Sequence, residues 1–309
     1  MHAVEATGLF KRFETVEALR GVSLVVPEGS LSGLIGADGA GKTTLLRILV
    51  TLISPDRGSA LVLGADTVKN MQKIRHGIGY MPQRFSLYQD LSVRENLLFF
   101  ADVFGIAPAE RGERLKKLLA FSRLEPFQGR RAADLSGGMK QKLALSCALI
   151  HTPRLLILDE PTTGVDPVSR REFWDILFEL RRQGITILVS TPYMDEAALC
   201  DSLHLLHKGE VLKQGTPASL LSDYPHLLYR ITGRDGSLTV SHAAPLPRGV
   251  ALMYPVAGAL HVAVADRSLA PDALLAEIQK LAPAADAILA VHPGIEDLLF
   301  ALLDEKEAA

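Results

Sequence analysis

Residues 36–44 read Gly-Ala-Asp-Gly-Ala-Gly-Lys-Thr-Thr, and no other stretch limits the possible folds of this chain as strongly. The spacing is G-x-x-x-x-G-K-T, with Gly36, Gly41, Lys42 and Thr43 at the fixed positions. Glycines allow a tight turn in which several backbone N–H groups face phosphate oxygens. The lysine adds a mobile positive charge, and the threonine hydroxyl is a ligand for Mg²⁺. We therefore predict that this segment, the phosphate loop, binds a nucleotide.

The flanking sequence supports this interpretation, because a strand precedes the loop and a helix follows it. Leu31–Ile35 is a short apolar run that predicts a buried strand, and Lys42–Val50 is a helical run rich in Leu and Ile. A strand, a loop and a helix N-terminus together make an anion site from backbone dipoles. The loop residues predicted to bind nucleotide are Gly36, Ala37, Asp38, Gly39, Ala40, Gly41, Lys42, Thr43 and Thr44.

Composition adds broad limits to this prediction. The 309 residues are 48% hydrophobic and 22% charged, which suits one large or two modest domains. The net charge of −2 gives no reason to expect nucleic acid as a partner. No apolar run reaches the roughly 18 residues needed to cross a bilayer, and the N-terminus lacks a signal-peptide pattern. We expect a soluble, cytoplasmic chain in which Cys147 and Cys200 are buried thiols.

A second apolar run, Leu155–Leu158, ends in two carboxylates, Asp159 and Glu160. Four uninterrupted apolar residues are expected in a parallel sheet that is covered on both faces. Asp159 at the carboxyl end of such a strand can hold Mg²⁺ against Thr43. Glu160, one residue further along, can polarise a water beside the terminal phosphate. We therefore predict that Glu160 and Lys42 are catalytic, and that Thr43 and Asp159 are metal ligands.

Three further features would be weak evidence for a nucleotide site by themselves, and the phosphate loop makes each of them more informative. Phe13, expected in a loop between two strand-like stretches, either stacks on a nucleotide base or is a half-buried loop aromatic. Gln83 follows a short strand, and its amide oxygen can reach Mg²⁺ or the attacking water. Ser136, Gly137 and Gly138 begin a helix, whose free N–H groups make a second anion-binding end.

In this order, the elements resemble the nucleotide-binding subunit of an ABC transporter. The matching set is the phosphate loop, Gln83, Leu135–Gln141, the acidic strand end and Asp166, and it covers about residues 3–220. The Leu-Ser-Gly-Gly element within Leu135–Gln141 is highly specific to that family. In detail the chain resembles export ATPases of the drug-resistance and natural-product type, and the amino-terminal half of bacterial tandem two-ATPase exporters.

The resemblance implies an α/β fold, a P-loop NTPase of ABC type with a mostly parallel sheet core, an antiparallel β part and a helical subdomain. It implies an ATP-binding domain over residues 1–220, with the helical subdomain at about 92–150, and a small accessory α+β domain over residues 221–309. The capping-box pattern of Ser92 and Glu95 is expected to open the first helix of that subdomain. That first helix is predicted over Val93–Phe104 and a second over about Ala109–Ser122. Leu135–Gln141 is expected to open a third helix that runs to about Ile150.

For function, the resemblance implies that two such domains clamp two ATP molecules and Mg²⁺ head to tail. Ser136, Gly137 and Gly138 of one subunit then face the γ-phosphate that Lys42 holds in the other. Phe13 is expected to stack on adenine. Gln83 is expected to bind at the metal and to couple ATP to an integral-membrane permease. Asp166 is expected to line the dimer seam.

Two positions depart from the family pattern. Asp38 stands where the family usually has Asn, which puts a carboxylate near phosphates. Pro192 stands where most members have a His that contacts the γ-phosphate and orders the catalytic water. Proline offers neither a side-chain donor nor a backbone N–H. Either the chain's own site hydrolyses ATP slowly, which suits pairing with a second, different ATPase, or Tyr193 or a water substitutes.

The last third of the chain predicts a small α+β region without a catalytic cluster. His261 and His292 are expected to be solvent or strand residues rather than ligands, because no carboxylate or cysteine lies at ligand spacing. The predicted strands and helices are Leu227–Thr232, Ser237–Ser241, Val250–Tyr254, Leu260–Ala265, Asp272–Leu281 and Ile295–Asp304.

Three functions from different classes fit these observations. The first is a transport ATPase on the cytoplasmic face of the inner membrane, held there by a permease and paired with a second ATPase chain or domain. The second is a soluble ABC ATPase that acts on ribosomes or DNA, which a basic face on the folded domain would favour. The third is a regulatory ATP-binding subunit that barely hydrolyses, which Pro192 favours. The sequence does not name a transported substrate.

Overall fold

Leu31–Ile35 forms the strand predicted for it, and all five of its residues are buried. In the computed structural model, which describes residues 1–84, 86–234, 238 and 246–308, this strand lies inside a six-stranded sheet. The chain separates into two units, Met1–Pro217 and Ala218–Ala309. The strands of the first unit are β1 (His2–Phe13), β2 (Val16–Pro27), β3 (Leu31–Ile35), β4 (Arg57–Val62), β5 (Ala65–Asp66), β6 (Ile78–Met81), β7 (Leu155–Asp159), β8 (Thr186–Thr191), β9 (Ser202–His207) and β10 (Glu210–Gly215).

Eight helices accompany these strands within the described residues, and the last of them begins at the boundary between the two units. Three of the eight were expected between the phosphate loop and β7. Their bounds are α1 (Lys42–Leu49), α2 (Met71–Gly77), α3 (Val93–Val103), α4 (Pro108–Ser122), α5 (Gly137–Leu149), α6 (Pro167–Arg182), α7 (Met194–Ala197) and α8 (Pro217–Ser222).

The six-stranded sheet brings the ends of three strands to one edge. Its order is β10-β9-β3-β8-β7-β6, and every neighbouring pair is parallel except β10 with β9. Because parallel strands end at the same edge, the phosphate loop after β3, the acidic pair at the end of β7 and the loop after β8 come together. A separate antiparallel sheet has the order β2-β1-β4-β5. The predicted mostly parallel core with an antiparallel part is confirmed.

Helices α3, α4 and α5 share an apolar core of their own, which includes Leu97, Leu119 and Leu143. Helices α3 and α4 match their predictions to within one residue at each end, and α5 begins within the predicted opening segment Leu135–Gln141 and ends one residue before Ile150. The capping box is present, since Ser92 Oγ accepts from the N–H of Glu95 and the Glu95 carboxylate accepts from the N–H of Ser92. Such a reciprocal cap satisfies two N–H groups at the helix start, which is why its sequence pattern marks where the helix begins.

In its described residues, the second unit has a four-stranded antiparallel sheet and two helices that follow α8. Its sheet order is β12-β13-β11-β14, and α9 packs on one face through Leu274 and Ile278. The predicted strand Ser237–Ser241 lies outside the described residues except for Leu238. The elements are β11 (Leu227–Gly233), β12 (Val250–Val256), β13 (Ala259–Val264), α9 (Pro271–Leu281), β14 (Ala285–Ala290) and α10 (Ile295–Ala308).

The sequence interpretation missed or misplaced several elements. Helix α2 and strands β5, β9, β10 and β14 were not predicted. Phe13 was expected in a loop, but it is the last residue of β1 and pairs with Val16 across the hairpin. Within the part of the chain that the structure describes, no helix combines the length and the apolar character needed to span a bilayer.

Candidate functional site

Glycines shape the phosphate loop because two of them lie where a side chain does not fit. A Cβ added to Gly36 would lie 2.3 Å from the carbonyl oxygen of Leu206. A Cβ on Gly41 would lie 2.5 Å from the carbonyl oxygen of Ala18, and Gly41 caps α1 with a left-handed φ of 107°. The first N–H groups of α1 have no partner within the helix, as in every α-helix. The loop therefore presents a helix N-terminus, a ready anion site.

Lys42 is buried at the first position of α1, with its ammonium group folded back into the loop. Its Nζ donates to the carbonyl oxygens of Gly36 at 2.7 Å and Ala37 at 3.1 Å. The same Nζ lies 3.0 Å from Oε1 of Glu160, whose side chain is also buried. The two residues predicted to be catalytic are thus in direct contact. A phosphate oxygen that binds Lys42 competes with Glu160 for this ammonium.

Asp159 has an unequal environment on its two oxygens. Its Oδ1 accepts from Thr43 Oγ1 at 3.2 Å and from Ser190 Oγ at 2.8 Å. Its Oδ2 is buried and has no hydrogen-bond partner among the described residues. Burial raises the pKa of this carboxyl, and the bonds from Ser190 and Thr43 lower it in part. A buried carboxylate oxygen without a donor beside a threonine hydroxyl is the hard oxygen environment that Mg²⁺ prefers, so these residues fit the expected metal.

Glu160 is held on all sides at the end of β7. Its backbone has a left-handed φ of 50°, which costs a non-glycine residue about 1–2 kcal/mol. Its N–H is bonded to both the carbonyl and the hydroxyl oxygen of Ser190. Gln83 Nε2 donates to Oε2 at 2.9 Å, and the Thr163 hydroxyl lies 3.4 Å from the same oxygen. An unfavourable backbone conformation at this carboxylate is consistent with the catalytic role predicted for Glu160, because such strain is concentrated at functional sites.

A cavity of about 520 Å³ opens over the phosphate loop. It is lined by the loop residues from Asp38 to Thr44, and by Gln83 and Glu160. Five lining residues were not predicted, and they come from β2 and from the turn between β9 and β10. These are Val16, Glu17, Ala18, Arg20 and Lys208.

Phe13 is not among the residues that line this cavity. Its side chain is 44% exposed at the end of the β1–β2 hairpin, with Lys11 Nζ 5.6 Å from the ring centre. The hairpin itself reaches the cavity through Val16 and Ala18. The proposed stacking of Phe13 on a base stays a prediction.

Ser136, Gly137 and Gly138 also lie away from the phosphate-loop cavity. Ser136 caps α5, and its Oγ accepts from the N–H of Met139 at 3.4 Å. Gly138 packs against the start of α6, where an added Cβ would lie 2.4 Å from Cβ of Ser169. Asp166 caps α6 in turn by accepting from the N–H of Ser169. Within one chain, therefore, the two predicted anion-binding ends are separate.

The loop after β8 is fixed by a buried carboxylate, Glu196. This residue accepts from the hydroxyl groups of Thr162 at 2.7 Å and Thr191 at 2.5 Å. The guanidinium of Arg170 lies 4.2 Å from the ring centre of Tyr193. Pro192 is half-buried between these anchors and does not line the cavity. These contacts hold the loop after β8 in place, although Pro192 stands where most family members have a histidine.

The second unit holds a polar cluster that sequence spacing did not reveal. His261, a residue of β13, has Nδ1 2.7 Å from Oδ1 of Asp297. The hydroxyl of Tyr254 donates to the same oxygen at 2.6 Å. His261 is a strand residue, as expected, and its contact with Asp297 could not be read from sequence spacing because the two residues are 36 positions apart. His292 is exposed as expected, and the described residues contain no group of three or more His, Cys, Asp or Glu placed to hold a metal.

Comparison with known proteins agrees with this geometry. The ABC transporter family profile matches residues 19–163. The probable multidrug ABC transporter ATP-binding protein YbhF of Escherichia coli is 48% identical over 219 residues, which cover 70% of this chain and 38% of YbhF. The chain therefore spans well under half the length of that relative. The Nod factor export ATP-binding protein I of a Rhizobium strain is 41% identical over 72% of this chain and 73% of its own length.

Solved structures give the same family. The ATP-binding subunit of an ABC transporter is 33% identical, with a TM-score of 0.66 over 72% of this chain and 93% of its own. A dimeric ATP-binding cassette in a post-hydrolysis state with ADP and Pi is 27% identical, with a TM-score of 0.64 over 69% of this chain and 98% of its own. With the phosphate loop, the acidic strand end and the Leu-Ser-Gly-Gly helix cap in place, this chain belongs to the ATP-binding proteins of the ABC transporter family.

Proposed function

We propose that this chain binds and hydrolyses ATP to drive an integral-membrane permease, and that the transport is export. The observation that carries the proposal is the convergence of Lys42, Thr43, Asp159 and Glu160 around one helix N-terminus. The export direction is supported by the names of two similar proteins, a multidrug and a Nod factor export protein. The permease would hold the chain on the cytoplasmic face of the inner membrane.

The residues of the site divide the chemical work. The backbone N–H groups at the start of α1 and the ammonium of Lys42 bind and orient the phosphates. Glu160 accepts a proton from the attacking water, and Gln83 and Thr163 hold its carboxylate in place. Thr43, Asp159 and Gln83 would hold Mg²⁺, which when bound neutralises charge on the phosphate oxygens. Ser190 of β8 fixes the backbone of Glu160, because its carbonyl and hydroxyl oxygens both accept from the Glu160 N–H.

A second subunit is needed to complete this site. Ser136, Gly137 and Gly138 do not line the chain's own cavity, so they are available to face the γ-phosphate of a partner. Similarity to a dimeric ATP-binding cassette supports this arrangement. We assign residues 1–220 to the ATP-binding domain and residues 221–309 to an accessory domain.

Pro192 favours a partner that differs from this chain. A histidine at this place would supply a donor to the γ-phosphate, and losing one well-placed donor typically costs about a hundredfold in rate. The chain keeps the Leu-Ser-Gly-Gly element that a partner's site needs. An impaired own site combined with an intact donated element suits a heterodimer with an ATPase that carries the histidine. A poorly hydrolysing regulatory subunit is the second candidate, favoured by the same residue.

Steady-state ATP turnover by the purified chain tests this proposal. We expect a low rate for the chain alone, a higher rate when an ATPase encoded beside it is added, and a gain of up to about a hundredfold from Pro192→His. Glu160→Gln in the Pro192→His background serves as the control for turnover at this site. Brisk hydrolysis by the chain alone, unchanged by Pro192→His, would contradict the heterodimer and indicate a homodimer.

A further inference from the structure

The turn between β9 and β10 carries a lysine with an unusual backbone conformation. Lys208 and Gly209 connect the paired residues His207 and Glu210, and both have positive φ, 44° and 81°. Positive φ at both central residues is the geometry of a type I′ turn, which favours Asn, Asp or Gly at the first position. A lysine there costs about 1 kcal/mol. The turn would be more stable with another residue.

This turn is fixed directly onto the phosphate loop. The N–H of Gly209 donates to the carbonyl oxygen of Ala40 at 2.9 Å, and its carbonyl oxygen accepts from the N–H of Arg20 at 2.7 Å. A Cβ added to Gly209 would lie 2.9 Å from the carbonyl oxygen of Ala18. The backbone of Lys208 therefore has a set position beside the loop, and Lys208 is among the residues that line the phosphate-loop cavity.

The charges around the cavity distinguish Lys208 from the other cations there. Lys42 is paired with Glu160 at 3.0 Å, and Arg20 is paired with Glu17 at 3.6 Å. Lys208 is exposed and has no ion-pair or hydrogen-bond partner within the described parts of the chain. Asp38, on the exposed outer part of the same loop, places a negative charge beside the cavity.

We propose that Lys208 is a nucleotide-binding residue, whose ammonium contacts the phosphate groups of ATP and offsets the charge of Asp38. The inference rests on the proposed function, because it assigns a further contact to the same ATP site. Lys208 binds at the rim, where solvent partly screens its charge, whereas Lys42 binds inside the loop. Asp38 is the reason that this chain needs the extra cation. The role is in binding and is separate from catalysis.

Titration calorimetry with Mg-ATP on the full chain tests the assignment. We expect Lys208→Met to weaken ATP binding about fivefold at low salt. Lys208→Arg should bind within about twofold of wild type, because it keeps the charge. Lys73→Met is the matched control, since Lys73 is an exposed lysine of α2 that does not line the cavity. The difference between Lys208→Met and wild type should shrink as salt is raised.

A double substitution tests the link to Asp38. If Lys208 offsets this carboxylate, Lys208→Met should cost less affinity in an Asp38→Asn chain than in the wild type. Equal ATP affinity of wild type and Lys208→Met would overturn the inference and leave the proposed function intact. A wild-type chain that does not bind Mg-ATP would overturn both. An equal loss in Lys208→Met and Lys208→Arg would also contradict a role for the charge.

Discussion

Asp159 shows how a single residue can weaken the fold and still serve the site. It is buried at the carboxyl end of β7, with two hydroxyl donors on Oδ1 and no donor on Oδ2 within the described residues. Burial raises its pKa, which means that the folded chain disfavours the charged form. A bound cation would reverse that preference. Burying this carboxylate therefore lowers the stability of the fold, and the predicted role of Asp159 as a metal ligand would account for it.

Asp159→Asn should therefore change stability and binding in opposite directions. The folded chain raises the pKa of Asp159 and therefore favours its neutral form. The contribution of this carboxyl to the free energy of unfolding is present at low pH and is lost as pH rises through the folded-state pKa. Asparagine stays neutral, so the variant should gain stability over wild type as pH rises. Thermal unfolding at several pH values measures this. If Asp159 is a metal ligand, Mg²⁺ should raise the ATP affinity of the wild type and not that of the variant. A lower melting temperature of the variant at neutral pH would contradict the account.

At the scale of elements, the sequence predicted those segments whose signal is local and strong. The strand Leu31–Ile35, the helix cap at Ser92 and the buried run at Leu155 depend on neighbouring residues, and each formed within one or two residues of its expected bounds. Strand β14 was missed because Ala285–Ala290 is rich in alanine, which has a weak strand preference.

Some residues of the site and some polar contacts could not be predicted from the sequence, because they depend on contacts between segments that are far apart in the chain. Lys208 reaches the phosphate loop because β9 pairs with β3, which lies about 170 residues earlier. The local sequence offers only a Lys-Gly pair between two stretches that contain apolar residues. Such a pair predicts a turn, but it does not show where in the fold the turn lies. The contact of His261 with Asp297 likewise depends on how α10 lies against the sheet. Loop and strand-end residues were predictable, and the cavity rim was not.

The carboxylate of Glu196 is bonded to the hydroxyl groups of Thr162 and Thr191, and this cluster joins two segments that flank the site. Substituting a threonine of the cluster tests how much the cluster stabilises the fold. Thr191→Val removes a hydroxyl that is bonded to the Glu196 carboxylate, so the free energy of unfolding should fall by about 1–3 kcal/mol. Thr67→Val is the matched control, because the Thr67 hydroxyl is buried with no partner among the described residues. That variant should stay within about 0.5 kcal/mol of wild type in urea unfolding. Equal effects of both substitutions would show that Glu196 does not stabilise the loop.

On the scale of the whole molecule, the proposed head-to-tail dimer would have this chain contribute to two different ATP sites. Lys42 and Glu160 belong to its own cavity, whereas Ser136 lies outside that cavity. In the proposed heterodimer, a substitution therefore affects one site or the other. In that proposal, Pro192 makes the chain's own site the weaker of the two.

A mixture with the partner ATPase should separate the two contributions. Lys42→Ala should lose ATP binding by this chain and keep much of the turnover at the partner's site. Ser136→Arg should keep ATP binding by this chain and lower the turnover of the mixture, because a bulky cation then occupies the cap of α5. Turnover and ATP binding measured on the same mixtures would show this. If Ser136→Arg leaves turnover unchanged, the head-to-tail arrangement is wrong.

The most direct test of the central claim compares Mg-ATP binding and turnover in Lys42→Ala and Glu160→Gln, both made in the Pro192→His chain. Lys42→Ala should abolish or nearly abolish binding, because it removes the cation that contacts the phosphates. Glu160→Gln removes the carboxylate that is paired with Lys42, which in the proposed mechanism would compete with phosphate and would also be the base. It should bind ATP at least as tightly as its parent while turnover falls about a hundredfold or more. An equal loss of ATP affinity in both variants, with both folded, would contradict the assigned roles.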